Sequence, residues 1–396
     1  MPTTPFYLST LGLVNVFGRG KAKVAAGLFR GDTSGLILES GWVPGKEVRV
    51  GRVQEELPPL PPAFQKDDSR NARLLLAALQ EIRDEVEAEI TRHGPSRIGV
   101  VLGTSTSGMD SGEQAMAHHL EHQAFPASYH YFQQEIGRPA PFLAEYLGLR
   151  GPAITVSTAC TSSGRAIATA RNLIRLGICD AVITGGADSL CKLTLNGFTA
   201  LEATTSKLTN PMSRNRAGIN IGEGAVLFIL RREASEIALL GVGETSDAHH
   251  ISAPDPTGRG AERAMQMALA DAGLAPEDIG YLNLHATATP LNDEMESRAV
   301  AGVFAGSVPC SGTKPLTGHT LGAAAATELA FCWLTLQEQW NPGRLLPPHR
   351  WDGEHDPALP ALALVPEGQI LGRSRVCLSN AFAFGGNNLA LVVGCP

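Results

Sequence analysis

Residues 153–164 read Ala-Ile-Thr-Val-Ser-Thr-Ala-Cys-Thr-Ser-Ser-Gly. The apolar, β-branched opening, Ala153–Ser157, predicts a buried strand. From Thr161 to Leu176 apolar residues return at helical spacing, and Gly177 supplies a stop. A strand that feeds a helix through so short a turn is the building unit of an α/β layered fold. The unit recurs. Arg97–Gly103, Ala181–Gly185 and Ala225–Leu230 predict further buried strands, and Asn71–Ile90 carries the apolar spacing of a helix.

From about residue 245 the same grammar restarts. Ile279–Leu284, Val308–Ser311, Val376–Ser379 and Leu389–Val393 predict strands. Glu262–Ala272, stopped by Gly273, Asp293–Val300 and Gly318–Gln337 predict helices. The passage through Cys160 has a counterpart here: Val308–Ser311 leads through Lys314–His319 into the next helix. The chain therefore reads as two related α/β halves, 1–245 and 246–396. Glu55–Asp68 and Gln339–Pro360, both rich in proline, read as irregular surface excursions.

Composition narrows the classes. At 396 residues the chain is too long for one ordinary domain. With 43% hydrophobic and 18% charged residues it can bury a large core, which excludes disorder as its main state. A net charge of −7 without any basic run argues against a nucleic-acid partner. No apolar stretch is long enough to span a membrane, and Met1–Gly18 shows no basic leader, so a secretory signal is not expected. Seven scattered cysteines without a CxxC pair imply neither a disulfide framework nor a metal site, and a reducing, cytoplasmic setting fits them. Neither GxGxxG after a strand nor GxxxxGK[ST] occurs, so no nucleotide cofactor is expected.

Four segments carry candidate chemistry. Cys160 sits where a strand opens into a helix, which places its sulfur near the positive helix end and favours thiolate. Its small, hydroxylated neighbours permit the sharp turn of a nucleophile elbow. A buried structural cysteine is the alternative, and the other six cysteines are read that way. His285 ends the strand Tyr281-Leu-Asn-Leu and enters Ala-Thr-Ala-Thr-Pro290, a position that faces a crevice in α/β sheets; a hydrogen-bonded loop histidine is the bland reading. His319 and Lys314 lie together in Ser311-Gly-Thr-Lys-Pro-Leu-Thr-Gly-His-Thr-Leu-Gly322, a lysine among small residues rather than on a polar helix face. Finally, Ser379-Asn-Ala-Phe-Ala-Phe-Gly-Gly-Asn-Asn388 follows a strand, and its glycines would let backbone amides approach a ligand.

Together and in this order, TACTSSG, HATATPLND, GTKPLTGHTLGAA and AFAFGGNN resemble the β-ketoacyl-acyl-carrier-protein synthases of the elongating type, which are thiolase-fold condensing enzymes. The resemblance extends from FYLSTLGLVNVFG near the start to NNLALVV at the end. It implies two related halves in an α-β-α-β-α layering. It also implies a decarboxylative Claisen condensation of an acyl-Cys160 thioester with a malonyl thioester, both delivered on the phosphopantetheine of acyl carrier protein, with no other cofactor. On this resemblance His285 and His319 stabilise the malonyl enolate. Lys314 pairs with Glu296 to support the site, and the backbone N–H groups of Cys160 and Phe384 form an oxyanion hole. Thr287 and Thr289 match positions that contact the malonyl or pantetheine end, and Phe198 and Phe384 match gate residues. A homodimer, or a heterodimer with a related synthase, is implied as well.

The second histidine separates the chain from thiolases, which use a cysteine there, and from initiating synthases, which use an asparagine. A cysteine hydrolase would need neither Lys314 nor two histidines, and a noncatalytic partner subunit would not need Cys160. Ala286, Ala383 and Asn387 depart from the family's usual Gly, Gly and Thr, the loop Gly103–Gly108 is richer in hydroxyls, and Glu202 stands where a basic residue is common. This combination resembles synthases that build aryl polyenes or related pigments, the alternative to fatty-acid elongation. An acidic carrier needs a basic face, for which Arg70 and Arg73 are the candidates, with solvated helix charges as the alternative.

Overall fold

In the computed structural model, residues 5–396 are described. Ten strands carry the sheet. In chain order they are β1 (Phe6–Asn15), β2 (Ile98–Gly103), β3 (Ala153–Val156), β4 (Ala181–Asp188), β5 (Gly224–Arg231), β6 (Ala238–Ser246), β7 (Tyr281–Leu284), β8 (Cys310–Gly312), β9 (Val376–Ala383) and β10 (Asn387–Gly394). The two-residue strand Gly18–Arg19 hangs on the end of β1.

The order across the sheet is β8-β7-β9-β10-β6-β1-β5-β4-β2-β3. Counted outward from the centre, each half runs first, fifth, fourth, second, third. The pairing sense repeats too: the two inner contacts of each half are antiparallel and the two outer ones parallel. Within the sheet the halves meet where β1 pairs with β6, over Phe6↔Leu239 and Tyr7↔Ala238. The second repeat thus opens at Ala238, and β6 runs across the division expected after residue 245.

Helices Ser162–Arg175 and Ala324–Leu336 fill the space between the two half-sheets, since each touches strands of both. Helix 324–336 is apolar around nearly its whole circumference, and all of it is buried. It meets helix 162–175 closely at Gly164, where a Cβ would fall 2.0 Å from Leu389 and 3.0 Å from Ala325. Helix Arg70–Gln80 covers the outer face of the first half, and helix Arg259–Ala272 that of the second. This is the α-β-α-β-α layering expected. Each large apolar side chain sealed in these layers contributes roughly 2 kcal/mol. No helix among the described residues is long and apolar enough to cross a membrane.

Two predicted helices differ. Asn71–Ile90 is broken into Arg70–Gln80 and Arg83–His93, because Ile82 leaves helical geometry (φ −134°, ψ 18°) while its side chain stays in the core. The helix expected from Gly318 starts only at Ala324. His319 gives its N–H to Asn220 O at 2.7 Å, and Leu321 takes a left-handed φ of 50°, so regular helix is excluded there.

Candidate active site

The ends of β3, β7 and β8 bring the chemistry together. After β3 the chain turns through Ala159, whose φ of 51° costs a non-glycine residue about 1–2 kcal/mol. The hydroxyls around it secure the turn. Ser162 Oγ donates to Ala159 O at 2.5 Å and accepts the Thr158 N–H at 2.9 Å, while Thr161 Oγ1 donates to Thr158 O at 2.8 Å. Gly103 on β2 makes room, since a Cβ there would lie 2.2 Å from Ser163 N. Cys160 is thereby held at the mouth of helix 162–175, the elbow its neighbours predicted.

His285 leaves β7 on a loop tied by two carboxylates. Glu296 accepts the N–H groups of His285 and Ala286, both at 2.7 Å, and Asp293 accepts that of Ala288 at 3.0 Å. Cys160 Sγ, one nitrogen of His285 and one of His319 all fall within 4.8 Å of one another. His319 Nε2 is 3.1 Å from the sulfur, and the two imidazoles meet edge to face at 84° with centroids 5.3 Å apart.

Burial governs the charge state here. It pushes the Cys160 thiol up to about 12, although Lys314 pulls the other way. The thiolate expected from the helix dipole is therefore not the resting form. Burial first, and Lys314 second, hold both imidazoles well below the ordinary histidine value, so each is neutral. A neutral imidazole offers one donor and one acceptor. Lys314 Nζ lies 3.3 Å from His285 Nδ1 and donates to His285 O. An ammonium beside Nδ1 leaves the ring proton on Nε2, the opposite nitrogen.

Lys314 does not pair with Glu296. Its carboxylate partner is Glu328, on helix 324–336, and both are buried. Glu296 is occupied with the two backbone N–H groups of the His285 loop. Burial lifts both Glu296 and Glu328 to about 7. Glu328 was missed in the sequence, yet a signal existed: it is the one charge in an otherwise apolar run, and such a residue needs a buried counter-ion. Asp188, at the end of β4, was missed as well. Its carboxylate gathers Thr104 Oγ1, Ser105 Oγ and Thr106 Oγ1 together with the Gly322 N–H, which accounts for the hydroxyl-rich loop after β2.

A cavity of about 370 Å³ leads from the surface to Cys160, His285 and His319. Thr287 and Thr289 line it, their hydroxyls 2.9 Å apart. Phe198 and Phe384 meet across it with ring centroids at 5.4 Å. The glycine amides expected to face a ligand are already engaged: Gly385 N–H donates to Ile251 O and Gly386 N–H to Ala383 O. Arg70 and Arg73 are not a free basic face either. Arg70 is bound to buried Glu223 and to Val53 O, and Arg73 to Asp68 at 2.6 Å.

Comparison with known proteins agrees with this geometry. Residues 47–235 match the N-terminal domain of the beta-ketoacyl synthase family and residues 237–345 its C-terminal domain. Nodulation protein E of Rhizobium meliloti is 36% identical over 307 residues, 74% of this chain and 75% of that protein. The 3-oxoacyl-[acyl-carrier-protein] synthase 2 of Staphylococcus aureus is 32% identical over 337 residues, 80% of this chain and 82% of its own length. A chain in the complex of a ketosynthase (ApeO) with its chain length factor (ApeC) from Xenorhabdus doucetiae superposes with a TM-score of 0.95 at 47% identity, covering 99% of this chain and 98% of that one.

Proposed function

The chain belongs to the beta-ketoacyl synthase family and is an acyl-transferring condensing enzyme, and on that premise we propose the roles of its residues and its place among the synthases. Cys160 takes the acyl group from a carrier thioester. Its proton goes to the departing carrier thiolate while the His319 Nε2–H faces the sulfur, leaving an acyl-Cys160 thioester and a free carrier thiol. A malonyl thioester then enters. As it loses carbon dioxide, negative charge gathers on its thioester oxygen, and the N–H donors of His285 Nε2 and His319 Nε2 stabilise it. The carbanion attacks the acyl carbonyl. The backbone N–H groups of Cys160 and Phe384 hold that oxyanion, and its collapse releases a β-ketoacyl carrier and the Cys160 thiolate, which is reprotonated. Thr287 and Thr289 receive the pantetheine end, and Phe198 and Phe384 gate the two steps.

The convergence of Cys160, His285 and His319 is the observation that carries this reading. It also favours an active subunit over a noncatalytic partner. For the pathway, the specialised reading draws support from 47% identity to a chain of a ketosynthase–chain length factor complex, against 32% to a 3-oxoacyl-carrier-protein synthase. The face for a second copy or a related chain is β3, at the sheet's edge with exposed Ile154. Competing saturated and polyenoyl primers on the same carrier tests the pathway. Faster transfer of the polyenoyl primer supports the specialised reading, and preference for the saturated one supports fatty-acid elongation.

A further inference from the structure

Asp188 closes β4 with its side chain sealed from solvent. Its carboxylate takes six donors: the hydroxyls of Thr104 at 2.5 Å, Ser105 at 2.6 Å and Thr106 at 2.9 Å, and the N–H groups of Ser105 at 2.9 Å, Thr106 at 2.9 Å and Gly322 at 2.6 Å. None of these donors carries a charge. The backbone N–H groups cannot reverse, and Thr104 Oγ1 already accepts the Ser107 N–H at 2.9 Å, so its own proton points at Asp188. A ring of donors without an acceptor calls for an acceptor-only side chain, the ionised carboxylate. No step of the condensation uses this buried charge.

Its contacts tie the two halves together beside the nucleophile. Thr104, Ser105 and Thr106 follow β2 in the first half, whereas Gly322 lies 134 residues beyond Asp188, in the segment that carries His319. The packing there is tight, since a Cβ on Gly322 would fall 2.5 Å from Ser105 N and 2.7 Å from Asp188 Oδ2. On its other side the segment is fixed by the His319 N–H on Asn220 O at 2.7 Å and by the Gly222 N–H on His319 O at 2.9 Å. The imidazole itself has less support. Among the described residues its Nδ1 is buried without a hydrogen-bond partner, and its Nε2 meets the Cys160 sulfur. The ring therefore points where its backbone holds it, and Asp188 supplies one of the two holds.

We propose that Asp188 is a positioning residue for the condensation, clamping the His319 segment to the loop after β2 so that Nε2 stays aimed at the reacting atoms. Its charge acts on the same site. Burial does most to keep Cys160 a thiol and Lys314 opposes it; Asp188 and then Glu328 add to burial, while His285 and His319 are neutral. Asp188 thus restrains the sulfur while it orders the imidazole. The proposal rests on the condensing reading of the site.

The test compares the unaltered chain with Asp188→Asn and with Ser105→Ala, which removes the uncharged hydroxyl that links Asp188 to the Gly322 N–H at 3.2 Å. Two quantities are read on the full chain: kcat and KM for condensation with malonyl carrier, and the pH profile of Cys160 labelling by iodoacetamide. Asp188→Asn should lower kcat about 10²-fold at little change in KM. It should also move the labelling profile to lower pH by about one pH unit, which is about tenfold faster labelling at about pH 8. Ser105→Ala should lower kcat about threefold and leave the labelling profile in place. A merely structural lesion would not make the sulfur more reactive in a chain that keeps its KM. An Asp188→Asn chain that retains its kcat, or whose labelling profile does not move, overturns the proposal. Should that variant fail to fold, an unchanged kcat in Ser105→Ala overturns it. Failure of the unaltered chain to condense counts instead against the condensing reading, and an unmoved labelling profile in Asp188→Asn still overturns the proposal.

Discussion

Cys160 Sγ and His319 Nε2 stand 3.1 Å apart, and both groups are neutral at rest. The nucleophile is thus a buried thiol beside a neutral imidazole, not a preformed thiolate. Its value is raised from 9.0 to about 12, so the thiolate fraction is small throughout the neutral range and grows about tenfold per pH unit. Iodoacetamide labelling of Cys160 should accelerate steadily from about pH 7 to about pH 10 without a plateau. A plateau below about pH 9 would show that the helix dipole outweighs burial after all.

His319 touches the sulfur and His285 does not, which separates their effects. His285→Ala should lower malonyl decarboxylation about 10²–10³-fold while slowing acylation of Cys160 far less. His319→Ala should impair both steps. Carbon dioxide release and intact mass, followed on the same samples, read the two steps independently. Equal loss of both steps in His285→Ala would contradict the assignment.

The Lys314–Glu328 pair links stability to chemistry. Lys314→Met strands a buried carboxylate and should cost about 3–5 kcal/mol, most of it recovered in Lys314→Met/Glu328→Gln. Neither variant should recover condensation, because His285 Nδ1 loses its cationic neighbour in both. Burial raises Glu328 from 4.5 to about 7 in the folded chain, so its contribution to stability is full below the unfolded value and is lost as pH rises through about 7. The stability difference between the unaltered chain and the double variant should therefore shift against the unaltered chain between about pH 5 and about pH 8. Thermal unfolding across that range measures it.

Ala286 holds a left-handed φ of 41°, and Gly312 faces it so closely that a Cβ there would lie 2.4 Å from the Ala286 methyl. Ala286→Gly should stabilise the chain by about 1 kcal/mol. Gly312→Ala should destabilise it, and by less once Ala286 is glycine. Additive effects in denaturant unfolding would refute this compensation.

The central residues were legible in the sequence because strand ends and small-residue turns leave a local signature: Cys160 and His285 sit just past apolar runs, and His319 lies in a small-residue turn. Glu328 was not legible as Lys314's partner, because the pairing depends on helix 324–336 packing against the His285 loop, a tertiary contact without a fixed spacing. Glu296 was misassigned for the same reason; its carboxylate serves backbone N–H groups that any sequence has. Arg70 looked like a docking residue on a helix face, but the structure turns it onto Glu223, fully buried and more than a hundred residues away. The repeat of strand order, first-fifth-fourth-second-third, rests wholly on pairing and left only the Cys160 and Lys314–His319 passages as a trace.

The most direct test of the account combines acyl-carrier and malonyl-carrier thioesters with the unaltered chain and with Cys160→Ala, following protein mass, carrier product and carbon dioxide together. The account predicts an acyl adduct on Cys160, then one carbon dioxide for each β-ketoacyl product, which is two carbons longer than the primer. Cys160→Ala should form neither adduct nor product. An adduct that persists in Cys160→Ala, or an acyl-enzyme that yields only free acid, would contradict it.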